Sequence, residues 1–345
     1  IEVYRVKPKN TFSYKVADKV SRFKYQSSLD ILRDSYFLNK KLKAINRLKK
    51  IDIVQYPNYR SVSLFASKKI KSVLRISSYQ KLLDEANGLF FKSLKERQMQ
   101  VLESFCYRRA KNIFGPSQFL GRIISDKFKK NVDIIETPYY KEDLDLSDEI
   151  LNDINRRTKN GKFLLFFGRI SQLKGVIEIA DMLQLFFNEY PDYHIVFIGK
   201  DIGYNKSSTI DYVISKAGVD KHKVLYYTEQ SHSSLIPVIK KAQIILLPSR
   251  IENLPNACIE AMSLGKVVIA TKDVSFEQLI NDKSNGYLCK NADAADLLRA
   301  IESVLTLSSE QKKVVENNAA NTILRLHPDN TIKELIDYYE KILKS

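Results

Sequence analysis

The chain has 345 residues, a length that suits two domains better than a single core. No apolar run approaches the roughly 20 residues that span a bilayer, and no secretory signal is visible, so we expect a cytoplasmic globular protein. Three widely separated cysteines without a CxxC pair argue against a disulfide framework and against a zinc site.

The net charge of +16 is unevenly distributed along the chain. Residues 1–130 carry 30 Lys/Arg against 10 Asp/Glu, whereas residues 131–345 carry 26 against 30. The basic half has three interpretations: a solvated face, a surface for an anionic membrane leaflet, or a surface for nucleic acid. No aromatic-interleaved RNA-binding motif and no helix-turn-helix pattern is visible, so we expect no nucleic-acid partner.

The N-terminal half mixes strand and helix patterns. The predicted strands are 1–6, 51–56, 72–78, 111–117 and 132–138, and the predicted helices are 28–50, 93–110 and 118–128. A Rossmann-like domain normally opens with a strand and a glycine-rich loop, and no such loop precedes these elements. We therefore expect that the sequence lacks the true start of this domain. An acidic segment over 142–154 marks the predicted domain boundary.

The C-terminal half alternates strands and helices throughout. The predicted strands are 162–170, 193–201, 223–229, 243–249, 266–271 and 286–290, and the predicted helices are 176–191, 211–219, 234–242, 256–265, 276–280 and 295–306. The strands are continuous Val/Ile/Leu/Phe runs, which are typical of a parallel sheet buried on both faces. This pattern predicts an α/β fold with a doubly wound parallel sheet.

The segment GRISQLKG (168–175) carries the first candidate site residues. Ligands of open α/β sheets bind beyond the carboxyl ends of the strands, and this segment follows a predicted strand. Arg169 and Lys174 lie just before a helix, and Gly168 and Gly175 allow the backbone to approach a ligand closely. Two cations near a helix N-terminus indicate a diphosphate site, and the alternative is a solvated basic turn.

Two further strand ends carry candidate residues. The strand within FIGKD ends at Gly199, which either admits a nucleotide or closes an ordinary turn. The segment LLPSRIENLPNACIEAMSLGKVV holds Glu252 in a loop, Pro255 at a helix start and Glu260 within that helix. A carboxylate at such a place can accept ribose hydroxyls. The alternative is that Glu252 interacts with the helix dipole and Glu260 lies on an ordinary surface.

The ordered set GRISQLKG, IVFIGKD, LLPSRIENLPNACIEAMSLGKVVIAT and NGYLCKNADAADLLRAI resembles the retaining glycosyltransferases of family 4. That family has the GT-B architecture, and the likeness covers roughly residues 162–305 well and the first half weakly. It implies an α/β fold of two Rossmann-like doubly wound domains facing across a cleft. Residues 1–148 would form the acceptor side, residues 149–325 would bind the nucleotide sugar, and a helix over 326–345 would pack back toward the first domain.

The resemblance also implies a role for each candidate residue. Arg169 and Lys174 would bind the donor's diphosphate and stabilise the charge of the leaving group. Glu252 would contact the donor sugar, and Glu260 would hold the ribose hydroxyls. The remaining donor-site positions are Gly168, Gly199, Leu254, Asn256 and Ala257. We expect no metal and no other cofactor, because the cations and the helix dipole would take the metal's role.

The function implied by the resemblance is that of a retaining, metal-independent hexosyltransferase. It would move a sugar from a UDP- or GDP-sugar to a saccharide or lipid-linked saccharide during lipopolysaccharide, O-antigen or capsule synthesis. The basic half would contact the inner face of the plasma membrane. Ser77 and Ser78 stand where family members often carry a histidine. The alternatives are a nucleotide-sugar hydrolase or epimerase of the same fold, and a nucleotide-sugar-binding or nucleic-acid-binding module without turnover.

Overall fold

The computed structural model describes residues 2–6, 15, 26–86 and 94–345. The chain divides into two compact units, which are described separately. One unit consists of Ile1–Glu136 and Thr331–Ser345, and the other of Thr137–Asn330.

The described residues of the first unit form a four-stranded parallel sheet. Its described elements in chain order are α1 (Gln26–Leu48), β1 (Ile53–Pro57), a 3₁₀ helix (Tyr59–Ser61), β2 (Lys71–Arg75), α2 (Gln80–Ala86), α3 (Leu94–Arg109), β3 (Asn112–Gly115), α4 (Gln118–Phe128) and β4 (Asp133–Ile134). The strands pair in chain order, β1-β2-β3-β4. The last helix of the chain, α12 (Pro328–Lys344), also packs on this sheet.

Apolar side chains cover both faces of the first unit's sheet. Successive residues of a strand point to opposite faces, so the neighbours Val73 and Leu74 lie in different clusters. Leu74 packs in a cluster with Tyr107 of α3, whereas Val73 packs in a cluster with Tyr338 and Ile342 near the C-terminus. All five side chains are at most 8% exposed, which is typical of a sheet with a hydrophobic layer on each side.

The second unit contains a six-stranded parallel sheet with helices between the strands. Its elements are α5 (Glu149–Thr158), β5 (Lys162–Phe167), α6 (Val176–Glu189), β6 (Tyr193–Ile198), α7 (Thr209–Ala217), β7 (Val224–Tyr227), α8 (His232–Lys241), β8 (Ile244–Leu247), α9 (Asn256–Ser263), β9 (Val268–Thr271), β10 (Tyr287–Cys289), α10 (Ala294–Leu305) and α11 (Ser309–Ile323). Helix α12 (Pro328–Lys344) follows, and 3₁₀ helices occur at Gln172–Lys174, Gly218–Lys223, Phe276–Gln278 and Leu324–Leu326.

The strand order of the second sheet is β10-β9-β8-β5-β6-β7. Strands β6 and β7 follow on one side of the central strand β5, and strands β8 to β10 follow on its other side. All of these pairs are parallel, so the predicted doubly wound α/β sheet is confirmed. The winding direction reverses between β5 and β8, and ligands of such sheets bind beyond the carboxyl ends of the strands at this point.

The central strand β5 explains why the second unit has a large core. Its residues Phe163 to Phe167 are between 0% and 5% exposed, because helices cover both faces of the sheet. The side chains of α6 pack on this sheet, and Leu183 and Phe186 are fully buried. At about 25 cal/mol for each Å² of apolar surface, such continuous burial is the main term that stabilises the unit.

Some local predictions differ from the structure. Residues 2–6 form no strand, because they pair with no neighbouring strand. The predicted helix over 276–280 is a single 3₁₀ turn at Phe276–Gln278, and the strand predicted over 132–138 is limited to Asp133–Ile134. The predicted helix over 93–110 is present from Leu94, and Ser93 lies outside the described residues. Among the described residues, no helix has the length and apolar character needed to cross a bilayer.

Candidate active site

The loop after β5 and the loop after β8 are in contact at the point where the sheet reverses direction. The backbone amide of Arg250 donates to the carbonyl of Leu173 at 2.9 Å. A Cβ atom added to Gly175 would lie 1.8 Å from the carbonyl oxygen of Pro248. Gly175 has a φ of 73°, so glycine is required both by its backbone conformation and by the close approach of the two loops.

A second close approach joins the loops after β5 and β6. A Cβ atom on Gly199 would lie 1.8 Å from the carbonyl oxygen of Gly168, and Gly199 has a φ of 149°. The amide of Gly168 in turn donates to the carbonyl of Ile198 at 2.9 Å. The backbone of Gly168 itself is exposed, with open space on its Cβ side. The backbones of β5 and β6 therefore stay in contact as far as these two glycines, at the carboxyl edge of the sheet, where a ligand can enter.

A cavity of about 160 Å³ lies at this edge. Its lining includes Gly168, Arg169, Lys174, Glu252 and Ala257, which were all predicted from the sequence. The Lys174 ammonium forms an ion pair with Glu252, although 78 positions separate these residues in the chain. Their side chains are 25% and 15% exposed, so the pair is partly shielded from water. The structure thus brings one carboxylate and two cations to a single cavity.

The buried hydroxyl of Ser249 supports this arrangement from the end of β8. It donates to Oε1 of Glu252 at 3.3 Å, the same oxygen that faces Lys174. The carbonyl of Ser249 accepts a hydrogen bond from the Thr271 hydroxyl at the end of β9. Ser249 and Thr271 are 2% and 1% exposed, so buried hydrogen bonds fix the position of the loop after β8.

Helix α9 directs its N-terminus toward the same cavity. It begins after Pro255, which provides no side-chain cap. Because they lie in the first turn, the backbone amides of Asn256 and Ala257 have no acceptor within the helix. These amides and the helix dipole form a site that favours an anion. Ala257 lines the cavity, whereas Asn256 is exposed and Leu254 is half-buried.

Glu260 lies further along α9 and does not line this cavity. It is half-buried, and burial together with the nearby Glu142 raises the pKa of its carboxyl group, while His232 opposes this effect. The phenol of Tyr139 is 2.9 Å from the hydroxyl of Ser263, one turn along the helix. Glu260 therefore lies beside the cavity, further along α9 and near Glu142 and His232, and Gly199 also lies outside the cavity lining.

An ion pair that sequence reasoning did not find joins α6 to the loop after β8. The guanidinium of Arg250 donates through two nitrogens to Oε1 of Glu178 at 2.9 and 2.5 Å. Glu178 is 5% exposed, and Asn291 donates to the carbonyl of Arg250 at 2.8 Å. Because Glu178 lies in the first turn of α6, this pair connects the helix start with the loop that carries Glu252. A glutamate at a helix start and an arginine at a strand end were the only signals in the sequence.

In the first unit, a buried polar cluster holds the segment that contains Ser77 and Ser78. Asn58 accepts from the amide and the hydroxyl of Ser77 at 3.0 Å and donates to the carbonyl of Ser78 at 2.6 Å. Asn58 also donates to Glu103, and Glu103 accepts from the amide of Gln80, both at 3.1 Å. Burial raises the pKa of Glu103 to about 7. This segment follows the carboxyl end of β2, and the hydrogen bonds from buried Asn58 fix its conformation.

Solved structures of similar architecture identify the fold of the chain. A glycosyltransferase from Rickettsia africae matches with a TM-score of 0.68 at 18% identity, covering 91% of this chain and 82% of that chain. The structure of HepE from Anabaena in complex with UDP and glucose matches with a TM-score of 0.67 at 17% identity, covering 87% and 81%. These likenesses, together with the parallel sheets, show that the chain has the GT-B fold.

Within this class the family is identified by the sequence of the second unit. Residues 147–321 match the family described as Glycosyl transferases group 1, and the chain belongs to that family. A similar curated protein is the GDP-mannose:cellobiosyl-diphosphopolyprenol alpha-mannosyltransferase of Xanthomonas oryzae pv. oryzae. The two are 29% identical over 147 residues, which is 42% of this chain and 38% of the relative. The chain thus matches well under two thirds of the length of this relative.

Proposed function

We propose that this chain acts as a retaining, metal-independent glycosyltransferase of family 4 that uses a UDP- or GDP-sugar as donor. The observation that carries this proposal is the cavity where Arg169, Lys174 and Glu252 meet the open N-terminus of α9. Two cations and unsatisfied helix amides suit a diphosphate, and a neighbouring carboxylate suits sugar hydroxyls. All of these groups lie at the reversal point of a doubly wound sheet, where ligands of such folds bind.

In the proposed reaction, the acceptor hydroxyl attacks the anomeric carbon of the donor sugar. The bond between that carbon and the phosphate oxygen breaks, and the nucleoside diphosphate leaves with the bonding electrons. The hydroxyl proton passes to the leaving phosphate oxygen on the same face, so the configuration is retained. Arg169 and Lys174 lower the barrier because they stabilise the negative charge that develops on the diphosphate. Since these cations and the dipole of α9 supply that positive field, the proposal needs no metal.

The remaining residues hold the donor. Glu252 accepts hydrogen bonds from the donor sugar, and its ion pair with Lys174 supports a position close to the phosphate that Lys174 would bind. Glu260 accepts from the ribose hydroxyls, as an acidic residue does in dinucleotide sites. The backbone at Leu254, Asn256 and Ala257 surrounds the sugar and the phosphate.

The proposed acceptor is a saccharide or a lipid-linked saccharide in the synthesis of a bacterial cell-surface polysaccharide. The name of the Xanthomonas relative specifies a diphosphopolyprenol acceptor, and a further relative from Klebsiella pneumoniae is described as lying in a cps region. The excess of positive charge in residues 1–130 supports a peripheral contact with the anionic inner face of the plasma membrane. HepE, whose structures hold UDP or UDP-glucose, supports a nucleotide-sugar donor.

The test is a transfer assay with a panel of UDP- and GDP-sugars and short lipid-linked saccharides. We expect one donor to give a product whose anomeric proton, measured by NMR, has the configuration of the donor. An inverted product would contradict the retaining mechanism. Release of free sugar at the same rate with and without acceptor would favour the hydrolase alternative, and binding without any product would favour a module without turnover.

A further inference from the structure

A second and larger cavity lies in the first unit, far along the strands from the segment with Ser77 and Ser78. Its volume is about 950 Å³. The lining includes the first residue of β2, Lys71, and the first residue of β3, Asn112. The cavity therefore lies at the amino ends of the parallel strands, whereas Ser77 and Ser78 follow a carboxyl end. Nothing in the proposed transfer mechanism uses this edge.

The rim of this cavity is strongly basic. Five cationic side chains line it, namely Lys68, Lys69, Lys71, Arg109 and Lys111, and no aspartate or glutamate is among its lining residues. Lys71 is held by the carbonyls of Ile342 and Leu343 at 2.9 and 2.8 Å. The other four form no ion pair within the part of the chain that the structure describes. A concave site with several unneutralised cations attracts anions strongly.

Below this rim the cavity is apolar. Ala66, Ile70 and Ala110 are half-buried in its wall, and Val73 and Leu74 lie behind them at 1% and 2% exposure. The methylene stems of the lysines add further apolar surface. The guanidinium of Arg109, which lines the cavity, lies 5.5 Å from the ring centre of the exposed Phe105. The site thus combines a cationic rim with an apolar floor.

We infer that this cavity binds a phosphate-bearing lipid, with the phosphate at the rim formed by Lys68, Lys69, Arg109 and Lys111 and the first part of the hydrocarbon chain on the apolar floor. A soluble phosphate would use the rim alone, and an uncharged lipid would use the floor alone. Two sources share the required chemistry: an anionic phospholipid of the bilayer and a lipid carrier that bears a diphosphate. The inference rests on the lipid-linked acceptor and membrane contact included in the proposed function.

The experiment measures binding by isothermal titration with three probes: geranyl diphosphate, dihexanoyl phosphatidic acid and inorganic pyrophosphate. Saturating UDP is present throughout, so that the candidate donor site does not contribute. The test variant is Lys68→Gln/Lys69→Gln/Lys111→Gln. The control is Lys40→Gln/Lys41→Gln/Lys43→Gln, which removes the same charge from exposed positions on α1. Thermal unfolding of each variant verifies the fold.

We expect both lipids to bind the wild type and the control variant at least tenfold more tightly than pyrophosphate. The test variant should bind them about a hundredfold more weakly, because each cation near a phosphate contributes a factor of several. Tighter binding of geranyl diphosphate than of phosphatidic acid would assign the site to a lipid carrier, and the reverse would assign it to the bilayer. Three results would overturn the inference. Pyrophosphate could bind as tightly as the lipids, both variants could lose affinity equally, or the wild type could bind no lipid. None of these outcomes depends on sugar transfer, which is assayed separately.

Discussion

The close approach of the loops after β5 and β8 predicts that Gly175→Ala destabilises the second unit. An alanine at a φ of 73° costs about 1 kcal/mol from the left-handed backbone alone. Its Cβ atom would also lie 1.8 Å from the carbonyl oxygen of Pro248, so one of the two loops must move, which costs about 2–3 kcal/mol more. We therefore expect a total loss of about 3–4 kcal/mol.

Gly265 offers a matched control for this prediction. Its φ of 69° is nearly the same, but its added Cβ would meet its nearest atom, the carbonyl oxygen of Glu316, at an ordinary 3.7 Å. Gly265→Ala should therefore cost only about 1 kcal/mol. Urea denaturation followed by circular dichroism measures both variants. If the two alanine variants unfold within about 0.5 kcal/mol of each other, the proposed contact between the loops is wrong.

Three further predictions concern charged groups. Arg250→Met should lower the unfolding free energy by about 3–5 kcal/mol, because it leaves Glu178 buried without its cation, and adding Glu178→Gln should recover part of this loss in the same urea assay. Burial raises the pKa of Glu103 from its ordinary 4.5 to about 7, so the folded protein ionises it less readily than the unfolded chain. The wild type should therefore lose about 3 kcal/mol relative to Glu103→Gln as pH rises from 4 to 8, and parallel stability curves would contradict this. Excess EDTA should leave the transfer rate unchanged, and a loss that Mn²⁺ or Mg²⁺ restores would refute the metal-free mechanism.

The sequence predicted the second unit more completely than the first because its strands are fully buried. Continuous apolar runs such as KFLLFF are typical of central strands in a covered sheet, and their alternation with helices predicts a parallel α/β sheet. The convergence of Arg169, Lys174 and Glu252 followed from the rule that strand carboxyl ends meet at one edge. That the ammonium of Lys174 pairs directly with Glu252 could not be predicted, since it depends on side-chain conformations in two separate loops.

The unpredicted features depend on contacts between distant parts of the chain. No local pattern relates Glu178 to Arg250, and only the folded sheet brings α6 beside the loop after β8. The ribose-binding role of Glu260 was implied by the family resemblance and stays a prediction; in the structure Glu260 lies near Glu142 and His232 and does not line the cavity. Residues 2–6 show a strand composition without strand pairing, because β propensity requires a neighbouring strand to take effect.

The central claim is that Lys174 and Glu252 bind and activate a nucleotide-sugar donor. The most direct measurement is the rate of radiolabelled sugar transfer by Lys174→Ala and Glu252→Ala, with Lys221→Ala as a control at an exposed lysine of the same unit. We predict that Lys174→Ala lowers kcat/KM by about a hundredfold to a thousandfold, because it removes a preorganised positive group from the leaving diphosphate, and that Lys221→Ala has no effect. Full turnover by both Lys174→Ala and Glu252→Ala would contradict the claim.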